Sequence, residues 1–111
     1  MKITRVAPWI VTGPPEKPGG HASGAGTHLT QYVFVQVDTD EGLTGWGEIT
    51  TYPGSTANRV VAGMVREAES LLVGQDPGHI EATWHRLFRA FTYMGTRGAT
   101  TATLSAVDIA L

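Results

Sequence analysis

Hydrophobic residues alternate with polar ones along the first half of the chain and recur every three or four positions along the second. Strands are therefore expected first and helices afterwards. Ile3 to Val11 is rich in β-branched and aromatic residues and reads as a strand. Pro8 lies inside it and gives a ladder no donor, so this strand is expected at a sheet edge or bulged. From Leu29 to Asp38, Val33, Val35 and Val37 share one face, and Tyr32, Phe34, Gln36 and Asp38 the other. Both faces carry apolar residues, so both are expected to be at least half covered. Asp40-Glu41-Gly42 makes a turn with Gly42 at positive φ. Leu43 to Thr50 then runs back as a third strand. In it Gly45 and Gly47 alternate with Trp46 and Glu48. One face is nearly bare, which lets another element approach the backbone closely. Trp46 is expected to pack, and Glu48 to take an ion pair or a hydrogen bond at the edge of an interface. The three strands make an antiparallel meander.

After Pro53-Gly54 the period changes to that of a helix. Ser55 or Thr56 can cap the first one. Its apolar positions are Val60, Val61, Met64, Val65, Ala68, Leu71 and Leu72, and Gly74 stops it. Asp76-Pro77 reads as the N-cap and first residue of a second helix, with Ile80, Trp84, Leu87, Phe88 and Phe91 as its stripe. A third helix runs from Ala99 to Leu111, with Leu104, Val107 and Leu111 on one side and Ala102, Ala106 and Ala110 close by. Such small residues permit tight packing. This helix has no stop signal, so it is expected to be truncated at Leu111, as the front of a longer chain. Asp108 lies in an otherwise apolar helix, where a buried acid needs a partner on a neighbouring element. The fold class expected is α+β, a three-stranded antiparallel meander followed by about three helices, in one domain of residues 1–111.

Thr12 to His28 holds many glycines and prolines and no apolar periodicity, so it reads as a long loop. Loops of this length in compact domains are usually functional lids or disordered. It lacks Gly-Lys-Ser/Thr and lies between two strands, which speaks against a phosphate cradle.

Composition narrows the function. The formal net charge is -2 over 111 residues. It offers no basic field for nucleic acid. There is no cysteine, hence no disulfide framework and no thiolate chemistry. No apolar run approaches a membrane span or a signal peptide, and a cytoplasmic location is expected. Charged residues make up only 16% of the chain, which points to a surface meeting another protein surface.

Candidate chemistry is sparse. His21 and His28 share the glycine-rich loop, where either can touch a ligand. His79 and His85 stand six residues apart on the second helix, the wrong spacing for one face. No serine has a nucleophile-elbow setting. Asp38, Asp40 and Glu41 cluster at the hairpin, where acids serve local hydrogen bonds. Arg97 stands between Gly95 and Gly98, where its guanidinium can reach a carboxylate of a substrate or form a helix-start or interdomain ion pair.

Three segments carry a resemblance. They are Thr39-Asp40-Glu41-Gly42 through Gly45-Trp46-Gly47-Glu48; Leu72 to Pro77 followed by Ile80-Glu81 and Trp84; and Arg97-Gly98 with Leu104 to Leu111. In this order they resemble the N-terminal capping domain of the enolase superfamily, in its mandelate racemase and muconate lactonizing enzyme branch. The resemblance implies a cap over a (β/α) barrel that this chain does not contain. It implies Mg²⁺ held by barrel carboxylates, and a barrel Lys or His that removes the proton α to a substrate carboxylate. No catalytic residue and no metal ligand are then expected in this segment. By position, Gly13 to His28 and Thr50 to Ser55 match two loops over the barrel mouth. His21, His28, Thr51, Tyr52 and Arg97 are the substrate-binding candidates. The Met94-to-Gly98 connector and the polar first loop suit a sugar-acid dehydratase; a racemase or epimerase, or a cycloisomerase, shares the first step. A non-enzymatic α+β binding module is the alternative outside the superfamily. Expected partners are the barrel domain of the same chain, a small carboxylate substrate and further copies forming a homo-oligomer, with neither nucleic acid nor membrane.

Overall fold

The computed structural model describes residues 1–15, 29–49 and 57–111. Strand β1 spans Ile3–Pro15, β2 Leu29–Thr39 and β3 Thr44–Ile49. They form one antiparallel sheet in the order β1-β2-β3, so Pro8 does lie on an edge strand. Helices α1 (Ala57–Leu72), α2 (Ile80–Phe91) and α3 (Ala99–Ala110) follow, with a short 3₁₀ turn at Thr92–Met94 between the last two.

The β2–β3 turn forms as its residues dictate. Gly42 has φ 81°, and the Leu43 N–H and the Thr39 hydroxyl bond each other's segments across it. Val33, Val35 and Val37 are buried and face the helices. Each contributes about 1.5–3 kcal/mol relative to exposure. They meet Val61, Met64, Val65, Ala68 and Leu72 of α1, and Leu104 and Val107 of α3, in a single core with Leu87 and Phe91 of α2. Val60 departs from the expected α1 stripe and is exposed, because the helix has room for only one face on the sheet. Gly74, at φ 85°, ends the helix and donates its N–H to the Ile3 carbonyl at 2.8 Å. The end of α1 is thereby tied to the start of β1.

The bare face of β3 meets α3. A Cβ built on Gly47 would lie 2.8 Å from the carbonyl carbon of Ala106, and one on Gly45 would lie 2.9 Å from that of Ala110. Two strand residues advance about 6.6 Å and four helix residues about 6 Å. The helix therefore runs antiparallel to the strand, backbone against backbone, and its first turn lies past the end of β3.

Three expectations are corrected. The first loop begins later than Thr12, because β1 continues through Pro15, with Thr12 paired to Gln31 and Pro15 to Leu29. The second helix starts at Ile80, not at Asp76-Pro77. The Asp76 carboxylate accepts the Gly78 N–H at 2.8 Å, a side-chain turn that competes with helix initiation. The second face of β2 is more than half covered, with Tyr32 42% exposed and Phe34, Gln36 and Asp38 less so, whereas Trp46 on β3 is 52% exposed. Trp46 thus does not pack on the core, since the glycines beside it hold the helix on the opposite face.

Candidate functional site

The described residues converge on one end of the sheet. Segment 16–28 leaves β1 at Pro15 and rejoins β2 at Leu29, and these two residues are cross-strand partners. Segment 50–56 leaves β3 after Ile49, which pairs with Val33 of β2, and rejoins at Ala57. The junction of α1 is held to the same strand: Asn58 Nδ2 donates to Gln31 Oε1 at 2.8 Å. Gln31 Nε2 in turn donates to Thr12 Oγ1 at 3.4 Å. The four chain ends that bound the two segments thus lie along the first half of β2. The antiparallel run of α3 along β3 brings the first turn of α3, and the Gly95-to-Gly98 connector before it, to this end as well.

Arg97 is exposed in that connector, between Gly95 at φ 102° and Gly98 at φ 66°. It makes no ion pair among the described residues. His21, His28, Thr51 and Tyr52 lie outside the described residues.

The remaining candidates are dispersed. His79 precedes α2 and His85 lies on it; both are exposed, and His85 meets the Trp84 ring edge-on. Glu48 is exposed on the open sheet face, and its side chain holds no hydrogen bond or ion pair among the described residues. Asp108 is also exposed. It sits on the solvent side of α3, so its carboxylate needs no buried partner. With Ile80, Glu81, Trp84 and His85 it lines a cleft of about 340 Å³. No group of three or more His, Cys, Asp or Glu among the described residues can hold a metal ion.

Of the hairpin acids Asp38 bonds locally, while Asp40 and Glu41 reach the first two residues of the chain. Asp40 accepts the Lys2 N–H at 2.7 Å, and Glu41 pairs with the amino group of Met1 at 3.3 Å. Asp38 accepts the Thr44 hydroxyl at 2.7 Å and the Gln36 amide at 2.9 Å. These two bonds, with the Arg5 guanidinium nearby, hold its carboxyl below the usual range. Sequence reasoning missed the Gln31–Asn58 bond; a lone buried amide has no pattern signal. It also missed the aromatic tray of Trp9, Val11, Phe34 and Trp46 on the open face, a depression of about 470 Å³. The alternation along β1, β2 and β3 was the signal for it.

A meander with one face under helices, and a glycine strand seated on alanines, defines a small α+β domain. The chain belongs to the family of mandelate racemase / muconate lactonizing enzyme N-terminal domains, whose model matches residues 6–111. That family is part of the enolase superfamily. A D-galactonate dehydratase of Ralstonia pickettii (strain 12J) is 41% identical over 75 residues, which cover 62% of this chain and 19% of that protein. A D-galactarolactone cycloisomerase of Agrobacterium fabrum is 36% identical over 80 residues, covering 72% and 20%. A crystal structure of a racemase from Streptomyces coelicolor A3(2) with bound magnesium has TM-score 0.81 and 30% identity, and covers 97% of this chain and 30% of that one. The chain thus spans about a fifth of the length of the curated relatives it matches. No helix among the described residues is long and apolar enough to cross a membrane.

Proposed function

We propose that this domain is the substrate-specificity cap of a Mg²⁺-dependent enzyme that removes the proton α to a carboxylate, and that the enzyme is a sugar-acid dehydratase. The observation that carries the reading is the gathering of both segment junctions and the Arg97 connector at one end of the domain. A lid needs junctions of that kind: segments that leave and rejoin a rigid sheet on the same side of the domain as an exposed cation. The D-galactonate dehydratase and the D-galactarolactone cycloisomerase, each named for a sugar-derived acid or lactone, favour a hydroxylated substrate. A cycloisomerase is therefore the second reading, and a racemase or epimerase shares the same first step.

In this account the domain supplies no base and no metal ligand. Residues outside it would hold Mg²⁺, which would supply the positive charge that eases removal of a proton α to a carboxylate. The cap's part is to shut water from the site and to select the acid by the side chains of its two segments. Arg97 meets the charge of the substrate or of the facing domain. His21, His28, Thr51 and Tyr52 are the side chains proposed to read the hydroxyl groups. The facing partner is a barrel domain of the same chain, the protein works as a homo-oligomer, and it acts in the cytoplasm.

The test is to incubate the full-length protein with Mg²⁺ and a panel of aldonic and aldaric acids in D₂O. Dehydration removes the α-proton and expels the β-hydroxyl, giving a 2-keto-3-deoxy acid. Formation of that product supports the dehydratase. Deuterium at the α-carbon of an otherwise intact acid, or of its epimer, points to the racemase class. Neither event on any acid would refute the assignment.

A further inference from the structure

Glu81, His85 and Arg89 are exposed on α2 and follow one another at intervals of four, in one line along the helix. They bridge two clefts. Glu81 and His85, with Asp108 of α3, Ile80 and Trp84, line the cleft of about 340 Å³. His85 also lines a second cleft, of about 490 Å³, with Ala82, Arg86 and Arg89. The first cleft thus holds two carboxylates and the second two guanidinium groups, and His85 belongs to both.

These charges are not neutralised inside the domain. The side chains of Glu81, Arg89 and Asp108 make no hydrogen bond or ion pair among the described residues. Glu81 and Arg89 lie about 12 Å apart along the helix axis, too far to pair with each other. Arg86 donates to Gln75 Oε1 at 3.0 Å, which steadies its guanidinium beside the second cleft. Each cleft therefore has its electrostatic complement on the same helix, out of its own reach. A second copy turned about a twofold axis brings the two together. Two α2 helices laid antiparallel with His85 at the axis set position 81 of each against position 89 of the other. The partner's Arg89 then enters the cleft of Glu81, Trp84 and Asp108, and Arg89 enters the partner's cleft. Two carboxylates beside an indole ring suit a guanidinium. Ala82 is small and exposed, so the helices can approach closely.

We propose that the outer face of α2 is a twofold interface with a second copy of this chain, held in register by Arg89 of each copy in the acidic cleft of the other. The inference rests on the homo-oligomer reading above and names its surface; the cap role and the reaction do not enter it. A helix of 12 residues is about 18 Å long and makes a small contact. Charge here sets partner and register more than affinity.

Residues 1–111 contain no cysteine, which makes a thiol at the axis a clean probe. In the full-length protein, with any cysteine beyond residue 111 replaced by serine, His85→Cys should form an intermolecular disulfide under mild oxidation. Ser70→Cys, exposed on α1, should not. Sedimentation velocity reports the assembly state in parallel. Added to His85→Cys, Glu81→Arg sets like charges together twice per dimer. It should slow the disulfide at least about tenfold, relative to labelling of the same thiol by a water-soluble maleimide. Arg89→Glu should do the same. Glu81→Arg together with Arg89→Glu exchanges the two signs and should restore the rate to within about threefold. A protein that stays monomeric fails the homo-oligomer reading and this interface with it. An oligomer in which His85→Cys forms no disulfide keeps that reading and overturns the interface. A thiol at position 85 that also resists the maleimide is covered by another part of its own chain, which overturns it as well. Single charge changes without effect, or a double change without rescue, do the same.

Discussion

Gly47 lies against Ala106 so closely that a methyl group on its α-carbon would overlap the Ala106 carbonyl. The contact is backbone on backbone, and neither side can yield by turning a rotamer. Gly47→Ala must push α3 off the sheet or bend β3. We expect it to cost at least about 1–3 kcal/mol, the usual range for overpacking, read as a lowered midpoint in denaturant unfolding. Gly63 gives the contrast. It lies inside α1, where an added methyl group would meet nothing within 4 Å. Gly63→Ala should stabilise by about 0.5–1 kcal/mol through helix propensity.

Thr44→Val should raise the pKa of Asp38 toward that of an ordinary carboxylate, because the hydroxyl is the largest of the influences holding it down. The sign follows from linkage. A carboxyl with a lowered folded pKa stabilises above its unfolded pKa, and that contribution is lost as pH falls through the folded value. The wild-type domain should thus lose part of its stability below about pH 4, and the Thr44→Val protein should lose less over the same window. Carboxyl-carbon NMR titration, with unfolding curves at each pH, checks both.

The open sheet face should bind an environment-sensitive apolar dye when residues 1–111 are prepared alone. Trp9, Val11, Phe34 and Trp46 form its tray, with Trp9 at 44% exposure and Trp46 at 52%. Trp9→Ser with Trp46→Ser should abolish the dye signal and change stability little, since neither ring is in the core. Retained dye binding in the double variant would place the apolar surface elsewhere.

Asp76→Ala should shift the start of α2. Without the carboxylate acceptor for the Gly78 N–H, the turn before the helix loses about 1 kcal/mol. Circular dichroism and thermal unfolding report the change.

The order of elements was legible because the two halves of the chain have different hydrophobic periods. The bare face of β3 was legible too, since Gly45 and Gly47 alternate with larger residues. What covers each face was not. Alternation says that Val33 and Phe34 point oppositely, but the composition of a face does not say whether a helix lies on it. The position of Asp108 misled for the same reason: apolar neighbours along the sequence lie on other sides of α3. Asp76-Pro77 carries the chemistry of a helix start, yet the following glycine lets the same carboxylate close a turn instead. The site was legible only as loops and one arginine. The bond between Gln31 and Asn58 depends on tertiary placement that no local pattern encodes.

The central claim is that this domain selects the substrate while other residues perform the chemistry. The most direct measurement exchanges residues 1–111 for the matching domain of the D-galactarolactone cycloisomerase and compares kcat/KM across a panel of aldonic and aldaric acids. The account predicts that the order of preference among acids changes by more than about tenfold, while the type of product formed from any accepted acid stays the same. A hybrid that keeps the original order of preference, or that changes the type of product, would contradict it.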